Sequence, residues 1–153
     1  MVHELLNGLA PSEVERVLAL GTRMAVPSGA SLFRLGDPAD RLFLTERGQI
    51  RLTLPMQVRG REEDILIEEK SAGQTIGWSA LIPPYRFTLS ATASGDTQVI
   101  ALPRTELQGH FATWPAVGYK IALNLAVVVG HRLQTVQAMW LRELQRTIEL
   151  RSA

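Results

Sequence analysis

The segment from residue 77 to residue 88 has the residue types and spacing that could bind an anion. Its sequence is Gly77-Trp78-Ser79-Ala80-Leu81-Ile82-Pro83-Pro84-Tyr85-Arg86-Phe87-Thr88. If residues 79–82 form a helical turn, its free N–H groups and partial positive charge face an anion. Arg86 can add a two-pronged charged contact to that anion. The other interpretation of Arg86 is a solvated or structurally paired arginine.

Catalytic and metal-binding patterns are absent elsewhere in the chain. The three histidines, His3, His110 and His131, have no metal-ligand spacing, and there are no cysteines for zinc sites, disulfides or thiol catalysis. The acidic run Glu62-Glu63-Asp64 lies beside arginines in a predicted hairpin turn and indicates a solvated face. No nucleophile motif or phosphate-binding loop is present. We therefore expect no enzyme activity, no metal and no resident cofactor.

Composition indicates one globular domain. The chain has 153 residues, of which 46% are hydrophobic and 20% charged, with a net charge of +1. That charge gives no electrostatic footprint for nucleic acid. The start lacks a signal-peptide layout, and the apolar run Ile121–Val129 is too short to span a bilayer. We expect a cytoplasmic protein with no membrane partner.

Helices are predicted before and after a β-rich middle, with N-terminal helices in residues 1–29. Pro11-Ser12-Glu13 is a helix start in which Ser12 can act as the cap. The apolar face of that helix consists of Val14, Val17, Leu18 and Gly21, and the helix ends at Pro27-Ser28-Gly29.

Short strands with turn residues between them fill residues 30–102, which favours a sandwich, jelly roll or small barrel. The candidate strands are Ser31–Arg34, Arg41–Glu46, Gln49–Leu54, Asp64–Lys70, Thr75–Ile76, Phe87–Ala93 and Thr97–Leu102.

Residues 103–153 are predicted to form a short helix and then a long one. Pro103 opens the short helix, Trp114-Pro115 ends it, and the long helix runs from about Ala116 to Leu150. Its apolar stripe consists of Leu125, Val129, Leu133, Val136, Trp140, Leu144 and Ile148. The stripe continues past the reach of one small domain, which favours a homodimer with a parallel two-helix seam. The alternative is a helix that folds back over its own domain.

Particular residues resemble a known family in the same order along the chain. They are Ser28–Asp37, with Gly29 and Gly36-Asp37; Ala39–Leu52, with Gly48 in a tight turn; Gly73, Thr75, Ile76 and Gly77; Ala91–Ala93; Thr97–Leu102; and His131–Gln134. This pattern resembles the cyclic-nucleotide-binding domain superfamily, which includes the catabolite activator protein. The resemblance implies an α+β fold: an antiparallel β-roll (a jelly roll or double-stranded β-helix) flanked by N-terminal helices and a long C-terminal helix.

The resemblance also implies a nucleotide cassette, from which this chain departs. Gly77, Ala80, Leu81 and Arg86 can be aligned with the cassette, but Trp78 stands where an acidic residue would contact the ribose 2′-hydroxyl. Trp78 could stack on a flat ligand or fill the ribose pocket with apolar surface. Phe87 is bulkier than the family's small residue at that place, and the spacing to Ala93 leaves the register of Arg86 open by one residue.

The family's pocket-facing helix positions correspond to about Val136 and Gln137. Gln137 could hydrogen-bond a base edge, or be a surface or dimer-seam residue. The ligand-binding residues predicted by this resemblance are Gly77, Trp78, Ser79, Ala80, Leu81, Arg86, Phe87, Thr88 and Gln137.

Two functions follow as expectations. The first is a ligand-sensing regulatory module that binds a cyclic nucleotide (cyclic AMP or cyclic GMP) or another small anion and signals through its long helix. The second is a degenerate roll that serves as a dimerisation or protein-interaction scaffold. Transcription-factor members carry a helix-turn-helix after the long helix, and this sequence ends at Ala153, so we expect a homodimer or a partner protein and no DNA.

Overall fold

Eight antiparallel strands and three α-helices make up the fold of residues 1–153 in the computed structural model, which confirms the α+β class. The strands are β1 (Thr22–Val26), β2 (Ser31–Phe33), β3 (Arg41–Arg47), β4 (Gln49–Val58), β5 (Arg61–Ser71), β6 (Thr75–Ile76), β7 (Ser90–Ala93) and β8 (Thr97–Pro103). The helices are α1 (Pro11–Leu18), α2 (Arg104–Thr113) and α3 (Pro115–Ser152). Two short 3-10 turns lie at Glu4–Leu6 and Trp78–Leu81. We call the second one the 78–81 turn.

The strands form two four-stranded sheets that enclose the core of the roll. Their orders are β1-β8-β3-β6 and β2-β7-β4-β5. Side chains that alternate along the strands point inward, and Leu44, Ile50, Leu52 and Ile100 are at most 1% exposed. Burial of this alternating apolar set is what fixes the register of each strand.

Helix α1 begins one residue before the predicted cap. Ala10 is the N-cap, and its backbone N–H donates to Glu13 Oε1 at 2.8 Å. Ser12 lies inside the first turn, so the predicted Ser12 cap is wrong. A proline at the first helical position already has its φ angle set for a helix, so Pro11 starts the helix.

A strand, β1, occupies part of the region where the sequence predicted only helices. Helix α1 ends at Leu18, and β1 pairs with β8 from Thr22 to Val26. Gly21 permits the close approach, because a Cβ atom there would lie 2.5 Å from Ile100 Cγ2 and 3.0 Å from the Ala101 carbonyl oxygen. Tertiary pairing with β8 overrides the helical periodicity of this segment.

The predicted strand Phe87–Ala93 forms only from Ser90 onward. Residues before it pair instead with the loop after β2, where the Phe87 N–H donates to the Asp37 carbonyl and the Gly36 N–H to the Phe87 carbonyl. This exchange fixes where the Phe87 side chain points.

Helix α3 has a docked part and a projecting part. Val117, Ile121, Leu125 and Val128 are buried against the roll, whereas every apolar side chain of the stripe from Leu133 onward is exposed. Its 38 residues correspond to a rod of about 57 Å. None of the helices combines the length and the hydropathy that a membrane span requires.

We expect Gly21→Ala to destabilise the fold by about 1–3 kcal/mol, because the new methyl group overlaps side chains and backbone of β8. Gly109→Ala is the matched control, because α2 leaves open space there. A helical glycine replaced by alanine should gain up to about 1 kcal/mol. Urea unfolding measures both values, and equal stabilities of the two variants would contradict the packing argument.

Candidate functional site

Five of the predicted ligand-binding residues line one small cavity inside the roll. They are Gly77, Trp78, Ser79, Phe87 and Thr88, joined by Phe33, Leu52, Leu89 and Arg132. The cavity measures only about 10 Å³. That volume is about the size of one water molecule. The space at the end of the 78–81 turn is therefore filled by protein side chains.

The predicted helical turn is present, as a 3-10 turn that starts at Gly77. Gly77 has φ 77° and ψ 36°, a left-handed conformation that glycine adopts without strain. A Cβ atom at this position would lie 3.1 Å from Phe87 Cε1 and 3.4 Å from Phe43 Cδ2. Glycine is thus required both by the backbone angle and by the ring packed against it.

Phe87 is the side chain that enters the space in front of the turn. Its ring stacks on Phe33, with 3.7 Å between ring centroids and 8° between planes. Phe87 is 6% exposed and Phe33 is 8% exposed. The positive end of the 78–81 turn therefore meets an apolar ring pair instead of an open anion site.

Arg86 and Gln137 do not line this cavity. The Arg86 side chain is exposed, and its Nη1 donates to the Gly36 carbonyl oxygen at 2.9 Å. Gln137 is exposed on the projecting part of α3. Whether either residue contacts a ligand stays a prediction.

The remaining two predicted residues lie on the far side of the turn. Ala80 is buried in the core, and Leu81 lines a separate apolar hollow of about 400 Å³ between the 78–81 turn, α2 and α3. Ile121 and Leu125 of α3 line the other side of that hollow. The turn is therefore in contact with the long helix through apolar side chains.

Arg104 fixes the 78–81 turn from the start of α2. Its Nη1 donates to the carbonyl oxygens of Ala39 and Ala80, the latter at 3.2 Å. Its guanidinium lies 4.0 Å from the centroid of the Tyr85 ring. One side chain thus holds both ends of the segment that precedes Arg86.

An ionic cluster that the sequence analysis did not identify lies beside the cavity. Glu68 Oε2 is 3.1 Å from Lys70 Nζ and 3.3 Å from Arg132 Nε. The side chains of Glu68, Lys70 and Arg132 are only 11%, 8% and 12% exposed. Neither Glu68 Oε2 nor Arg132 Nε has a partner with hydrogen-bond geometry. Charge, more than a directed bond, holds the Glu68–Arg132 pair together.

The register of β5 explains why two charged side chains point inward. Glu68 pairs with Leu52 and Lys70 with Ile50, both of which are buried. Residues two apart on a strand share a face, so this alternation was the available signal. The third member, Arg132, comes from α3, and its guanidinium lies 6.0 Å from the centroid of the half-buried Trp78 ring.

The electrostatic balance of this cluster favours the charged carboxylate. Burial raises the pKa of the Glu68 carboxyl, but the charges of Arg132 and Lys70 outweigh that effect and hold the pKa below its ordinary value. Two buried cations therefore stabilise one buried anion, at the point where β5 meets α3.

Comparison with known proteins agrees with this architecture. Residues 23–113 match the Cyclic nucleotide-binding domain family. The "Cyclic AMP receptor protein" of Thermus thermophilus is 30% identical over 130 residues, which are 85% of this chain and 57% of that protein. The crystal structure of the Thermus thermophilus Catabolite Activator Protein superposes with a TM-score of 0.71 at 29% identity, covering 97% of this chain and 63% of that one.

A third relative carries the same similarity within a larger enzyme. "Glutaminase 1" of Bradyrhizobium diazoefficiens is 31% identical over 136 residues, which are 88% of this chain and 21% of that protein. The chain spans at most 57% of the length of the curated relatives it matches.

The lowered pKa of Glu68 predicts a pH-dependent stability. A carboxyl whose pKa is lower in the folded chain stabilises the fold above its unfolded-state pKa of about 4.3, and this contribution is lost as the pH falls through the folded pKa. We expect wild type to exceed Glu68→Gln in unfolding free energy near neutral pH, and the difference to shrink below about pH 4. Urea unfolding across this pH range measures it.

The control for this measurement is Glu69→Gln, which removes the neighbouring carboxylate on the outer face. Glu69 is 47% exposed and its distance to Arg51 is 4.0 Å. An exposed pair contributes little, so this variant should follow the wild-type curve. A pH-independent difference between wild type and Glu68→Gln would contradict the prediction.

Proposed function

The chain belongs to the cyclic nucleotide-binding domain family, and from that premise we propose that it is a regulatory module that acts by pairing through α3. In this proposal the interior of its roll does not capture a cyclic nucleotide. The family supports the general role of a ligand-sensing regulatory module. Of the two functions expected from the sequence, we therefore choose the dimerisation scaffold for this chain.

The stacked pair Phe33–Phe87 is the observation that carries the proposal. The rings lie 3.7 Å apart in front of the 78–81 turn, and they leave a cavity of about 10 Å³. Small-molecule sites usually measure about 300–1,000 Å³. To enter, a cyclic nucleotide would have to displace Phe87 from this stack. The displacement would cost about 3–5 kcal/mol, by comparison with Phe→Ala substitutions in protein cores.

Charge supports the same conclusion. The only arginine of the 77–88 segment, Arg86, donates to the Gly36 carbonyl at the surface. Trp78 offers no acceptor for a sugar hydroxyl. The 77–88 segment has no carboxylate to accept from the ribose hydroxyls, and Arg132, whose guanidinium is at the cavity, is already paired with Glu68. Phosphate and ribose would therefore lose hydration without new contacts, at a cost of about 1–3 kcal/mol for each unpaired group.

The projecting part of α3 supports pairing. Leu133 is 65% exposed, Trp140 62% and Ile148 54%, at helical spacing on one face. Such a continuous apolar stripe on a helix is typical of a two-helix seam. The helix is one unbroken rod, and the stripe beyond residue 132 is left uncovered by its own roll. We propose a homodimer formed along this stripe, which the alternative of a folded-back helix does not explain.

A second candidate is a cyclic nucleotide sensor, because the chain is 30% identical to a protein named Cyclic AMP receptor protein. The positive end of the 78–81 turn is retained in this chain. For this second function, Phe87 would have to move out of the roll when the ligand binds. Both candidates are binding functions, and the proposal assigns no catalysis to the chain.

A titration separates the two candidates. We expect no saturable heat and no thermal stabilisation from cyclic AMP or cyclic GMP with the wild-type protein, because the Phe33–Phe87 pair occupies the space. Arg86→Ala should give the same null titration and change stability by less than about 1 kcal/mol. Isothermal calorimetry and thermal unfolding measure both effects.

Binding of a cyclic nucleotide by the wild-type protein would contradict the proposal. Saturable binding by wild type that weakens about tenfold or more in Arg86→Ala would establish the sensor and place Arg86 in its site. Binding that survives in Arg86→Ala would still overturn the proposal of a closed interior, and would remove Arg86 from the site.

The oligomeric state tests the pairing surface. We expect a dimer in wild type and a monomer in Leu144→Asp, because a carboxylate at the seam is buried without a partner. Arg142→Asp is the control, an exposed position on the same helix that lies off the stripe. Sedimentation or light scattering measures the mass. A wild-type monomer, or a Leu144→Asp dimer, would contradict pairing along the stripe.

A further inference from the structure

We propose that Glu68 is a built-in anion: its carboxylate serves as the charge partner of Arg132 and thereby holds α3 docked beside the 78–81 turn. This inference deepens the proposed function, because it names the contact that sets the position of the pairing helix. The carboxylate comes from the chain itself, through β5, and no dissociable ligand is needed to supply it.

The position of the Glu68–Arg132 pair along α3 explains why it can hold this helix in place. Arg132 lies between Val128, which is 4% exposed, and Leu133, which is 65% exposed. It forms the ion pair to the roll that lies nearest to the projecting part of α3. The apolar contacts of α3 lie earlier in the helix, at Val117, Ile121, Leu125 and Val128.

The charges in the cluster require an anion at this point. Lys70 and Arg132 bring two positive charges into a region where the side chains are no more than 12% exposed, and Glu68 is the only carboxylate within 4.0 Å of either. Removing one partner of a buried ion pair leaves an uncompensated buried charge, which is strongly destabilising. Without Glu68, the Arg132 side chain would move toward water, because its buried charge would have no partner. The part of α3 around Arg132 would then be held less firmly against the roll.

The neighbouring side chains make the contact a junction of three elements. Glu68 is on β5, Arg132 is on α3, and the Arg132 guanidinium lies 6.0 Å from the ring centroid of Trp78 in the 78–81 turn. A shift of Arg132 therefore changes both the roll and the turn.

Glu68→Ala tests the proposal through the motion of α3. We expect backbone amide exchange of residues 128–136 to be about tenfold faster or more than in wild type, since the buried pair is broken. Added sodium acetate should restore slow exchange, because its carboxylate can occupy the vacated place between Lys70 and Arg132. Sodium chloride at matched ionic strength should not restore it.

Glu69→Ala is the matched control, because it removes the adjacent carboxylate from the outer face of the same strand, where the side chain is 47% exposed. It should exchange like wild type and should not respond to acetate. If Glu68→Ala does not fold, Glu68→Gln keeps the shape and removes only the charge. The same increase in exchange at residues 128–136 is then expected.

Two outcomes would overturn the proposal. One is exchange at residues 128–136 that is as slow in the Glu68 variants as in Glu69→Ala. The other is equal restoration by acetate and chloride, which would mean general salt stabilisation. Neither outcome bears on nucleotide binding or on the dimer, which are measured by titration and by mass, so the failure of this inference and that of the proposed function can be told apart.

Discussion

The packing of Phe87 over Gly77 and against Phe33 is the contact on which the interior of the roll depends. It requires glycine at position 77, because a Cβ atom there would lie 3.1 Å from the Phe87 ring. It also requires the exchange of hydrogen bonds between residues 36–38 and 86–87, which turns Phe87 inward and Arg86 outward. One residue of register thus determines whether an apolar ring or a guanidinium faces the 78–81 turn.

Helix α3 connects the interior of the roll to the exposed apolar stripe. Its first half is held by apolar burial and by the Arg132–Glu68 contact, and its second half presents uncovered apolar side chains. The 78–81 turn touches the docked half through Leu81 and through Trp78, which lies beside Arg132. The filled cavity, the ion cluster and the exposed apolar stripe of α3 are therefore consecutive parts of one connected structure.

Much of the fold was predictable because it depends on local pattern. Strand alternation around Ile50 and Leu52, turn glycines such as Gly48, and the helical stripe from Leu125 to Ile148 are visible without long-range information. The confirmed resemblance to the cyclic-nucleotide-binding domain superfamily follows from the same residues. Strand β1 was missed because its pairing with β8 lies about 75 residues away in sequence and overrides local periodicity.

By itself the sequence determined the α+β roll, the long helix and the presence of a turn after Gly77, since each depends on periodicity and on backbone preferences of nearby residues. Tertiary structure alone decided which side chain enters the roll and which charges meet there. Phe87 faces inward because distant loops pair around it, and Glu68 meets Arg132 because β5 and α3, far apart in sequence, pack together. Side-chain direction and ion pairing depend on such long-range contacts, which single-residue patterns do not record.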